Sequence, residues 1–229
     1  MSWTNIGLIF VAGLDLGMAV LMWLRNPRNK INISFAIAIF FLATWTFGVA
    51  MFREVNTLNS AWFWTWVQNG SGALMVVPFF IFSIYFPYQN FVLKTWHKIL
   101  IFISIVIVLL FVFIPGAWVR VIFLRPHDNY YNLNRWGIGY FALHFYFYLG
   151  FAFVNLIKKY LSSSGFIKDQ LKYIIFGCSI ISFFGSIFGV IIPLISARLG
   201  PYWFGPYFSV FMIIFLVYFG FYYNKSDLK

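Results

Sequence analysis

The sequence predicts an all-α polytopic membrane protein, a seven-transmembrane-helix bundle carrying a small extracytoplasmic β-hairpin. Three observations predict it. Hydrophobic residues make up 62% of the 229 and charged residues only 9%, with a mean hydropathy of +0.86; soluble domains average about 25% charged. Seven apolar runs each approach the ~20 residues a helix needs to cross a ~30 Å hydrocarbon core. The basic residues are segregated between alternate connections, as the positive-inside rule requires.

Taken in order, the spans are expected at about 5–24, 31–52, 61–86, 98–114, 136–157, 170–195 and 206–223, forming one transmembrane domain over 1–229. The first is a retained helix rather than a cleaved signal. MSWTN carries no basic residue, no small-residue cleavage site follows, and Asp15 interrupts the apolar run. Arg25 to Lys30 form a basic turn, and Arg53-Glu54 follow the second span. Pro78 lies inside the third.

The stretch 115–135 is the one sizeable connection. Trp118 to Leu124 is β-branched and aromatic, Arg125 to Asn129 is a turn cluster, and Tyr130-Tyr131 follow. That pattern predicts a two-stranded hairpin lying over the outer mouth of the bundle. The sixth span carries small or kinking residues every three or four positions: Cys178, Ser182, Gly185, Gly189 and Pro193. Small faces let membrane helices approach closely, and Pro193 is expected to kink or end its helix.

Orientation follows from charge. With the N-terminus outside, Arg25, Arg28, Lys30, Lys94, Lys98, Lys158, Lys159, Lys168, Lys172, Lys225 and Lys229 fall inside. Arg53, Arg120, Arg125, Arg135 and Arg198 fall outside. The expected location is therefore the cytoplasmic (inner) membrane, N-terminus outside and C-terminus inside. The net charge of +11 needs no nucleic-acid partner, because basic residues collect in cytoplasmic loops. Cys178, the single cysteine, excludes an intrachain disulfide and reads as a small buried residue.

Signatures of chemistry are missing. The sequence holds no HExxH, GxSxG, P-loop or dinucleotide fingerprint. His97, His127 and His144 lie in three different regions, so no shared metal site is expected. The expectation is no enzyme, no cofactor and no metal. The informative residues are polar ones at membrane depth: Asp15, Gln68, Asn69, His144 and Ser186, with Trp45 beside them. Counted from the outer ends of their spans, they lie within ~5 Å of one level at 1.5 Å per residue. They are the candidate ligand-binding residues if they face inward. A charged Asp at mid-depth costs about 2.5–3.5 kcal/mol, so Asp15 is expected to be neutral or partnered. His144 is the first choice of partner, then Gln68 or Asn69; a hydroxyl or carbonyl of the second or seventh span is the alternative.

One family resembles this chain. The order Gln170, Gly177, Pro193, Gly205-Pro206, Tyr218 and a closing basic and Asp-Leu tail resembles the end of the seven-helix sensor region at the N-terminus of bacterial histidine kinases. Trp45 in FLATWTFG and His144 in RWGIGYFALHFYFY match that family's second and fifth helices. The resemblance implies a membrane sensor or receptor module in the lipid bilayer. It would bind a small or lipid-like ligand from the outer side and signal to a cytoplasmic partner through its last helix. Nothing in these residues resembles the kinase part. The alternatives are a small transporter or channel, or a structural membrane scaffold.

Overall fold

Six helices long and apolar enough to cross a membrane stand among the described residues of the computed structural model, which are 1–88, 92–198 and 201–217. They are α1 (Trp3–Arg25), α2 (Lys30–Glu54), α3 (Leu58–Tyr85), α4 (Thr95–Phe113), α5 (Arg135–Ser162) and α6 (Gly165–Ser186). The last continues through a π-helical turn, Ile187–Ile191, into the five residues of α7 (Ile192–Ser196). A 3₁₀ segment, Tyr202–Phe208, then leads into α8 (Ser209–Val217). The expected seventh span at 206–223 thus begins as 3₁₀ helix around Gly205-Pro206, and its positions 218–223 lie outside the described residues.

Local chemistry sets the helix starts a few residues ahead of the apolar runs. Ser2, Asn29, Thr57 and Asn134 each offer a side-chain oxygen to a backbone N–H of the first turn, which satisfies donors a helix start otherwise leaves bare. Alternate ends of the helices therefore gather at two faces of the bundle. At one face Lys159 donates to the carbonyls of Ser83, Ile84 and Phe86, so a cation of α5 caps the C-terminus of α3.

Packing is uneven. α2 lies between α1 and α3, α3 packs on α5, and α6 packs on α8. α4 fully buries only Val108 and Val112; Ile101, Ile105 and Leu109 pack partly against the core. Pro193 lacks an N–H and its ring collides with the carbonyl four residues back. The wide π turn ahead of it relieves both problems, and the helix ends three residues later at Ser196, followed by Ala197 in the left-handed conformation (φ 53°).

The hairpin forms as expected at the opposite face from Lys159. β1 (Val119–Phe123) pairs antiparallel with β2 (Tyr130–Leu133), in the register Val121↔Asn132, Ile122↔Tyr131 and Phe123↔Tyr130. A bulge between Val119 and Val121 breaks the period of two. It lets Val119 and Ile122, three apart, both turn inward. Tyr131 and Leu133 do the same from β2. The free edge of β2 is covered by a bridge from Asn132 to Arg198 and by the Leu133 N–H on the Ala197 carbonyl.

Candidate functional site

Directly beneath the hairpin, α2, α3, α5 and α6 leave a cavity of about 120 Å³, or about 1020 Å³ of atom-free space when its open mouth is counted. Its roof is Trp118 and Tyr131 of the hairpin and Tyr202 of the 3₁₀ segment. Its walls carry Trp45 and Gln68, Asn69 and Gly72 near the roof, and Phe35, Ile39, Val76, Phe79 and Leu149 further down.

Backbone proximity shapes the upper part. A Cβ added at Gly72, Gly189 or Gly205 would lie 3.6, 3.7 or 3.6 Å from the Trp45 indole, so three glycines from three elements bring backbone up to one ring. A Cβ at Gly205 would also lie 3.4 Å from the Cα of Gly185. The small face of the sixth span is therefore used within the chain, against the 3₁₀ segment. Cys178, Ser182, Gly185 and Gly189 all line the cavity; Pro193 is buried outside it.

A polar cluster hangs from the roof. The Tyr131 hydroxyl donates to Asn69 Oδ1 at 3.0 Å and accepts from Gln68 Nε2 at 3.3 Å. Burial pushes this phenol well above the ordinary tyrosine range, so it stays neutral and serves as both donor and acceptor. Asn69 also donates to the Thr65 carbonyl at 2.9 Å. Gln68 is held from behind, where Gly48 lets α2 approach so closely that a Cβ there would lie 3.0 Å from the Gln68 Cβ.

The remaining candidates sit elsewhere. Asp15 is fully buried, but its Oδ2 accepts from Ser209 of α8 at 2.9 Å. His144 Nε2 meets the Ala73 carbonyl at 3.2 Å, and Ser186 is buried without lining the cavity. The expected Asp15–His144 pair is thus corrected: the acid takes the seventh-span hydroxyl named as the alternative. Depth along a helix places a residue at a level, but not on a side. At a shared level α1 turns Asp15 toward α8, while α5 turns His144 toward α3.

A second cluster fastens the hairpin to the bundle, and sequence reasoning missed it. Arg53 pairs with Asp128 of the hairpin turn at 2.8 Å, donates to Asn5 Oδ1 at 2.9 Å and lies over the Trp203 ring at 5.1 Å. Glu54 Oε2 meets His127 Nδ1 at 2.7 Å, and its Oε1 accepts from the Ser2 N–H at 2.8 Å. Buried Asn129 donates to the carbonyls of Phe52 and Val55, both at 2.7 Å. The available signal was complementarity: Arg53-Glu54 at the end of α2 and His127-Asp128 in the hairpin turn are matching polar pairs on the same side of the bundle.

The bundle, its cavity and its fastened roof define a multi-pass α-helical membrane protein with a covered internal pocket. The model describing the N-terminal 7TM region of histidine kinase matches residues 7–227, and the chain belongs to that family. No curated protein and no solved structure matches the chain.

Proposed function

We propose that the chain is a membrane sensor module that receives a small or lipid-like ligand in the cavity beneath the hairpin and passes the change to a cytoplasmic signalling partner. The carrying observation is the cavity itself, which is mainly apolar and equipped with a few convergent polar groups near its roof. That is the usual composition of a small-molecule site. Family membership supplies the signalling context.

In this reading the hairpin faces outward and the chain lies in the cytoplasmic membrane. Among the described residues, five basic residues at the hairpin end against nine at the other support that orientation. A seventh crossing that begins with α8 completes a single transmembrane domain. α8 is the output element. It lines the cavity through Met212, it is tied to α1 through Ser209 and Asp15, and it leads toward the closing segment 224–229.

The test joins this region to a histidine-kinase catalytic core and measures autophosphorylation in membrane vesicles. Gly72→Leu fills the cavity beside Trp45 and is expected to lock the output at one level. If the filled chimera followed the unmodified one under every condition that moves the latter, the sensor reading would fail.

A further inference from the structure

The cavity carries information about its ligand's charge and shape. Among the described residues, those lining it include no Asp, Glu, Lys, Arg or His. At the roof, Arg53 is already paired with Asp128 at 2.8 Å. An ionised head group here would find no counter-ion, and burying a charge without one is strongly unfavourable. A phospholipid, a fatty acid anion and an amine are all disfavoured on that ground.

Among the described residues, three buried polar atoms of the lining have no hydrogen-bond partner: Gln68 Oε1, the Trp118 indole N–H and the Tyr202 hydroxyl. Their side chains are almost wholly buried, at 1%, 2% and 4% exposure. Buried polar groups are normally satisfied, and all three belong to the roof end of the cavity. Toward the opposite end the wall turns to Phe35, Ile39, Val76 and Phe79. From Gln68 to Phe79 along α3 is eleven residues, roughly 16 Å at 1.5 Å per residue. The space is therefore long, with hydrogen-bonding groups at one end and hydrocarbon along the rest.

We infer that the ligand is a neutral single-chain amphiphile, with a hydroxyl or amide head under the hairpin and an acyl chain running toward Phe79. The head donates to Gln68 Oε1 and exchanges a hydrogen bond with the Tyr202 hydroxyl. The Tyr131, Asn69 and Gln68 bonds position the acceptor. This inference rests on reading the cavity as the sensor's ligand site.

The experiment uses the full chain in lipid nanodiscs and radiolabelled 1-monolauroylglycerol as the probe. Saturable binding is expected, unaffected by excess laurate at about pH 8, where the acid is ionised. Gln68→Leu removes the acceptor and is expected to weaken binding about tenfold, the effect of one lost hydrogen bond of ordinary strength. Because Gln68 also holds Tyr131, Tyr202→Phe is the second variant. Its hydroxyl has no hydrogen-bond partner among the described residues, so the fold is expected to survive the change, and a similar loss is expected. Absence of saturable binding, competition by laurate as strong as by the neutral probe, or wild-type affinity in both variants would each overturn the inference. The kinase chimera separates this from the sensor reading. Saturable binding that leaves phosphorylation unmoved would sink the sensor reading and leave the ligand class standing. A cavity-filled chimera with altered output, but no binding of the probe, would sink the ligand class alone.

Discussion

Tyr131 and Asn69 meet in a 3.0 Å hydrogen bond between a strand and a membrane helix sixty-two residues apart in the chain. Through it the roof of the cavity is fixed to its wall. Tyr131→Phe keeps the ring and its edge contact with Phe52 but strips partners from Asn69 and Gln68. Leaving such buried groups unmatched costs about 1–3 kcal/mol. The variant should melt at a lower temperature in detergent, and an unchanged melting temperature would contradict the fastening role.

Asp15 and Ser209 should be energetically coupled. A double-mutant cycle with Asp15→Asn and Ser209→Ala, read by thermal unfolding, is expected to show an interaction within about 0.5–3 kcal/mol. The corresponding cycle with His144→Gln should show none, because His144 is engaged with the Ala73 carbonyl. Coupling to His144 of equal size would restore the pairing that the geometry overturned.

The hairpin should loosen when Arg53 is lost. Arg53→Met removes the bonds to Asp128 and Asn5 while keeping an apolar stem over Trp203. With roughly 2 kcal/mol lost from a local opening equilibrium, amide exchange at 119–133 should quicken by about thirtyfold. Exchange confined to its original rate would mean that Asn129 and the Glu54–His127 contact hold the turn without Arg53.

Membrane orientation can be read chemically. Cys178 is buried and should resist a membrane-impermeant maleimide. Arg120→Cys on the exposed side of β1 should label in intact cells, whereas Lys158→Cys on α5 should label only after the membrane is opened. The reverse pattern would invert the topology.

How much of this was legible follows from what sets each feature. Spans are set by unbroken apolar length, so six of them coincide with long helices; the capping residues Ser2, Asn29, Thr57 and Asn134 set four of the earlier starts, and the largest differences, about five residues, fall at the polar junction between α5 and α6. The hairpin was readable because Trp118–Leu124 and the Arg125–Asn129 turn are local signals. Facing was not readable. In a bilayer both the core and the lipid side of a helix are apolar, so α4 shows no useful periodicity although it fully buries only Val108 and Val112. Hence Trp45, Gln68 and Asn69 reached the cavity while Asp15, His144 and Ser186, at the same level, did not. Tyr131 and Tyr202 were passed over because an aromatic in a connection looks like an interfacial residue until the connection folds back over the bundle.

The π turn at Ile187–Ile191 has a consequence for anyone who scans this helix by substitution. A turn holding one extra residue acts as a one-residue insertion in the helical count, and one residue corresponds to about 100° of rotation at 3.6 per turn. Sensitivity along 165–196 should therefore rise and fall with the usual period up to Ser186, skip a beat, and resume out of phase at Ile192. Deleting a single residue from within the turn would restore an unbroken rhythm and swing the terminal stretch, with the Ala197 carbonyl that braces β2, around to a different side.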